Sequence, residues 1–85
     1  MKHAGPAALD ALEPLLAALR ALPGLTEKKR GVFYVKSRAF LHFHEDARGL
    51  FADIRNAGDA DFERIDVTED AGRSRLLDAV RSRGL

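Results

Sequence analysis

Val32-Phe33-Tyr34-Val35-Lys36-Ser37-Arg38-Ala39-Phe40-Leu41-His42-Phe43-His44 is the longest β-rich run in the chain, and its reading decides the fold. Val32 to Val35 is β-branched and aromatic, Lys36-Ser37-Arg38 is a short turn, and Ala39 to His44 continues as a second strand. The run therefore predicts an antiparallel hairpin. It carries Phe33, Phe40 and Phe43, the sole tyrosine Tyr34, and two of the three histidines. Specific chemistry is to be sought here first.

Downstream, Glu45-Asp46-Ala47-Arg48-Gly49 is a turn and Leu50 to Arg55 a third strand. Asn56 to Asp61 is a loop by composition, and Phe62 to Val67 reads as a fourth strand. Thr68 is an N-cap residue, followed by Glu69 and Asp70 where a helix dipole favours anions. Leu76, Leu77 and Val80 form the buried side of that last helix, and Gly84 stops it. Upstream, Leu9, Leu12, Leu15, Leu16, Leu19 and Leu22 repeat at the spacing of one helical face. Its start is open between three readings. Asp10 with Glu13 resembles a capping box, Pro14 is acceptable as a first helical residue, and a start near Ala7 would make Pro14 a kink. Pro23-Gly24 ends it in each case, and Leu25 to Arg30 is a polar connection. The expectation is one α+β domain over residues 1–85: helix, antiparallel sheet of three to four strands, helix, with both helices on one sheet face.

Side-chain alternation divides that sheet. An even loop after the hairpin groups Leu41 and Phe43 with Leu50, Ala52 and Ile54 as a core face. It leaves Phe40, His42 and His44 with Phe51, Asp53 and Arg55. An odd loop mixes the two sets, so the even loop is preferred. For the first hairpin, a two-residue loop puts Phe33 and Val35 on the histidine face, and a three-residue loop puts Val32 and Tyr34 there. Either way the histidine face keeps large apolar side chains that helices on the other face do not cover. A second copy, the N-terminal segment or a ligand is expected to cover it.

Composition narrows the classes. The chain has 85 residues, no cysteine and a net charge of +1. Its core is therefore modest, and disulfide frameworks and thiolate metal sites are excluded. Residues 1–40 sum to +4, residues 41–72 to −6 and residues 73–85 to +3, a layout that does not advertise a nucleic-acid surface. No apolar run approaches a membrane span, and Met1 to Pro6 lacks a signal-peptide core. A cytoplasmic protein is expected. Arginine outnumbers lysine ten to four and alanine is abundant, a composition that suggests a GC-rich bacterial genome.

His42 and His44, two apart on a strand, point the same way, so one metal could take both, with Asp53 as an oxygen ligand. His42 as a base oriented by Asp53 or Glu45 is a second possibility. The alternative is imidazoles packed on sheet aromatics. Ser37, Ser74 and Ser82 lack a nucleophile context, and no phosphate-binding glycine loop occurs. Asn56, Asp59, Asp61 and Glu63 have a calcium-like rhythm without the ligand order of an EF-hand. Arg30-Gly31-Val32-Phe33-Tyr34-Val35 is superficially similar to an RNA-stacking strand, but the following turn and the acidic middle oppose that.

From Leu22 to Leu77 the chain resembles short uncharacterised bacterial proteins. The residues concerned are Leu22-Pro23-Gly24, Phe40-Leu41-His42-Phe43-His44-Glu45-Asp46 and Gly49-Leu50-Phe51-Ala52-Asp53-Ile54. The His-x-His-x-Asp strand end followed by Ala-Asp-Ile is, more distantly, similar to small luciferase-like domains, from which this chain departs in having no tryptophan. The resemblance implies the α+β layout and transfers no catalytic residue. The functional expectation is a non-enzymatic module that forms a homo-oligomer or binds a protein partner. Its binding face comprises His42, His44, Asp53, Phe40 and Tyr34. The alternative is a small-molecule or metal-binding domain using His42 and His44. No metal or cofactor is assigned.

Overall fold

The computed structural model describes residues 1–56 and 61–85. In chain order it comprises β1 (Lys2–His3), α1 (Pro6–Ala11), α2 (Glu13–Arg20), β2 (Thr26–Lys29), β3 (Val32–Val35), β4 (Arg38–Asp46), β5 (Gly49–Arg55), β6 (Phe62–Asp66) and α3 (Asp70–Ser82). The strands form one antiparallel sheet in the order β2-β3-β4-β5-β6, with β1 paired to β4. The α+β class is as expected, but the described residues form six strands rather than three or four. β2 escapes because Thr26-Glu27-Lys28-Lys29 is a charged edge strand with no apolar alternation. β1 is only two residues long. The expected loop at Asn56 to Asp61, with Asp59 of its calcium-like rhythm, lies outside the described residues at 57–60. Among the described residues no helix is long and apolar enough to cross a membrane.

The leucine-rich segment folds as two short helices. Pro6 opens α1, and Pro14 lies in the first turn of α2. Pro14 has no N–H to offer the Asp10 carbonyl, so the chain breaks at Leu12. The bonds on either side survive: Leu12 N–H reaches Ala8 O at 3.0 Å, and Leu16 N–H reaches Leu12 O at 2.9 Å. The capping-box reading is thereby replaced by the kinked one. The break keeps Leu12, Leu16 and Leu19 wholly buried.

The central hairpin takes part of each open alternative. Lys36 and Ser37 form a two-residue turn, with Val35 opposite Arg38, and both adopt positive φ, as the right-handed twist of a tight hairpin demands. Tyr34 then faces Ala39, but Phe33 faces Leu41, so β4 carries Phe40 as a bulge residue. The bulge turns Phe33 into the core with Leu41, and Val35 packs against that core. Val32 and Tyr34 are left on the histidine side, where both line a cleft with His42.

β4 and β5 pair through the even loop, with Leu41 opposite Ile54 and Phe43 opposite Ala52. Ile65 of β6 extends that face. Leu15, Leu16 and Leu19 of α2 and Leu76 and Val80 of α3 close over it in one apolar cluster. The approach of α3 to the end of β6 requires Gly72, because a Cβ there would run into the Asp66 carbonyl. Thr68 is no N-cap: Glu69 holds that position without a side-chain cap bond, and the Thr68 hydroxyl accepts the Leu50 N–H at 3.0 Å.

A three-histidine cluster on the open sheet face

β4 presents His42 and His44 on the face opposite the helices. β3 pairs with β4 only as far as Leu41, which leaves the same edge of β4 open further along. β1 takes that place. His3 lies opposite His44, the Ala4 N–H bonds Phe43 O at 3.0 Å, and the Gly5 N–H bonds the Glu45 carboxylate at 2.6 Å. The N-terminal segment therefore adds a third imidazole to the pair expected from the sequence. The ring centroids of His3 lie 4.7 Å from His44 and 5.9 Å from His42, and His42 meets His44 edge to face at 4.9 Å. One nitrogen of each ring can be chosen so that all three lie within 4.8 Å of one another.

Asp53 stands behind the cluster and is 7% exposed. It faces His42 across the strands, yet its carboxylate contacts the diagonal neighbour His44, with Oδ2 3.2 Å from Nδ1. That contact lacks hydrogen-bond alignment, and Nδ1 of both His42 and His44 is buried without a hydrogen bond. Arg64 on β6 holds Asp53 in a fork of two 2.8 Å bonds. The Arg64 guanidinium keeps the Asp53 carboxyl below the usual aspartate range, so it stays ionised. Burial pushes the imidazoles of His42 and His44 below the ordinary histidine value. His44 and His3 add to the shift of His42 and His3 to that of His44, while the Asp53 carboxylate opposes both. That direction favours the neutral rings, which can donate a lone pair.

The other expected residues divide. Tyr34 reaches the cluster's side of the sheet, with the Lys28 ammonium 5.3 Å from its ring centre. Phe40, assigned to that side by plain alternation, is instead carried into the core by the bulge and is 6% exposed. Glu45 is occupied by Gly5 and does not orient His42. Phe33 is in the core, which removes a stacking residue from the RNA-like strand. Phe62 packs on His42 at 5.1 Å while remaining 37% exposed. Arg48 lies 5.6 Å from the Phe51 ring, and Arg55 lies 4.7 Å from the Phe62 ring. These guanidinium groups cover part of the aromatic surface that no helix among the described residues reaches.

Beside the cluster, between β1 and the β2–β3 hairpin, lies a cleft of about 480 Å³. His3 and His42 form one wall, and Leu9, Val32 and Tyr34 contribute its apolar surface. His3 and Arg64 were not assigned any role from the sequence. His3 could have been found only by asking where the third histidine goes. No protein-family model, characterised protein or solved structure matches the chain.

Proposed function

We propose that the protein binds one divalent transition-metal ion, zinc foremost, through His3, His42 and His44. The convergence of three imidazoles from two distant strands, with donor nitrogens within 4.8 Å of one another, carries this reading. Around a tetrahedral zinc with Zn–N near 2.0–2.1 Å those nitrogens would stand about 3.3 Å apart, a closure that side-chain rotation supplies. An all-imidazole donor set suits zinc, copper and nickel and does not suit calcium or magnesium, which need oxygen ligands. Asp53 supplies the outer support usual for a ligating histidine: its carboxylate stands ready to take the His44 Nδ1–H and leave Nε2 for the ion. Three protein ligands leave a fourth position for water or substrate, as in catalytic rather than closed structural zinc sites.

The test is thermal unfolding with and without zinc, nickel or cobalt. At a hundredfold excess over the dissociation constant, zinc adds about 2.7 kcal/mol, which for a domain of this size raises Tm by about 10 °C or more. His3→Ala alters an exposed residue, so it should fold normally and lose most of that rise. An unchanged Tm with all three metals, or the same rise in His3→Ala, sinks the proposal.

Self-association through the same face is the second reading, supported by the absence of a helix over it and by the exposed ring of Phe62. Sedimentation of the wild type and Phe62→Asp decides it: a dimer weakened by the charge is expected, and two identical monomers end it. Either reading is compatible with a cytoplasmic setting, and with no cysteine in the chain neither depends on the redox state of the compartment.

A further inference from the structure

We infer that the cleft beside the three histidines is the binding site for a small organic oxyanion, with the charged head on the metal's open position and an apolar body along Leu9, Val32 and Tyr34. The inference rests on the metal reading and extends it to the ligand's chemistry.

The cleft exists because of the sheet's connectivity. β3 leaves β4 at Leu41, and the N-terminal segment joins it at His44 and at the Phe43 carbonyl, so the backbone is notched beside His42. His3 and His42, two of the three proposed ligands, open into that notch. Its volume of about 480 Å³ lies in the range that encloses a small molecule and is too narrow for a folded partner. Its charge is one-sided. Lys28, Lys29 and Arg30 line it, and among the described residues no aspartate or glutamate does. Arg30 is occupied by Asp10 and Glu13, at 2.8 and 2.9 Å. Lys29 makes no ion pair among the described residues, and Lys28 rests on the Tyr34 ring. Two ammonium groups of the β2 edge strand are thus available at the rim, and a set of three imidazole ligands brings no negative charge to the ion.

That combination selects a ligand. A neutral molecule would leave the lysines and the metal unanswered, and a bare inorganic anion would leave Leu9, Val32 and Tyr34 in water. An acyl carboxylate or an alkyl phosphate satisfies both. Lysine, as a mobile point charge, accepts either head.

Cobalt-loaded protein tests this, because the visible bands of cobalt respond to a change in its fourth ligand. Hexanoate and hexyl phosphate, titrated separately, distinguish the two heads, with hexanol and inorganic phosphate as controls. Saturable spectral shifts are expected from at least one organic anion, with either control at least about tenfold weaker. In Lys28→Ala/Lys29→Ala, cobalt affinity should be unchanged and anion affinity should fall about tenfold. Bands unmoved by both organic anions up to about 10 mM, or an unaffected double variant, overturn the inference and leave the metal site standing. Failure to bind cobalt at all overturns both.

Discussion

His42 imposes a cost that its surroundings do not offset. Its Nδ1 is buried without a hydrogen bond, whereas the His44 Nδ1 has the Asp53 carboxylate 3.2 Å away, and a buried unpaired polar atom costs about 1–3 kcal/mol. Sites that serve a ligand often carry such a cost. His42→Phe should therefore raise the urea midpoint of the metal-free protein by the equivalent of about 1 kcal/mol, filling the space against Phe62 with an apolar ring. The same variant should lose the zinc-induced gain in Tm. A destabilised His42→Phe would mean that His42 serves the fold rather than a metal. At this scale the sequence was partly legible. Period two put His42 and His44 on one side, and the even loop brought Asp53 to them. Phe40 was misplaced because a bulge shifts the alternation by one residue, and bulges leave no compositional mark. His3 was illegible because its position depends on long-range pairing of a two-residue strand.

β2 shows how a strand can be present without a sequence signal. Its residues are polar and exposed, and it is retained by β3 on one side and by ion pairs to the helices. Arg20 joins Glu13 to Glu27, and Arg30 joins Asp10 to Glu13, so a chain of five charges ties α1 and α2 to the β2–β3 hairpin. Glu27 also accepts the Gly31 N–H at 2.9 Å. Arg20, and after it that N–H, hold the Glu27 carboxyl below its ordinary value of 4.5. A carboxyl depressed in the folded state contributes stability that is complete above the unfolded value and disappears as pH falls through the folded one. The stability difference between wild type and Glu27→Gln should accordingly be constant above about pH 5.5 and shrink steadily below about pH 4.5. Urea titrations across that range measure it, and a difference independent of pH would show that Glu27 acts through packing alone. The two helices were legible in their leucines and their break in Pro14, because both follow from local chemistry. β2 was not, since its stability comes from elements distant in the sequence.

Over the whole molecule, the proposed metal does more than occupy a pocket, because one of its ligands is on the weakest element. β1 is two exposed residues anchored by the Ala4–Phe43 bond and the Gly5–Glu45 bond. His42 and His44 sit on β4, which is paired along both edges and anchors the sheet. A metal joining His3 to that strand would close the chain segment between them and hold β1 in place. Local opening of β1 would then require losing a metal ligand, whereas opening of α3, which supplies none, would not. Zinc should therefore slow amide exchange at Ala4 and Gly5 by much more than at Arg81 and Ser82 on the exposed last turn of α3, with the slowest core amides of β4 and β5 following only the global gain in stability. Uniform slowing across the chain would indicate zinc bound without His3. Slowing confined to the N-terminal segment and β4, and abolished by His3→Ala, would identify β1 as the element through which metal occupancy is communicated to the fold.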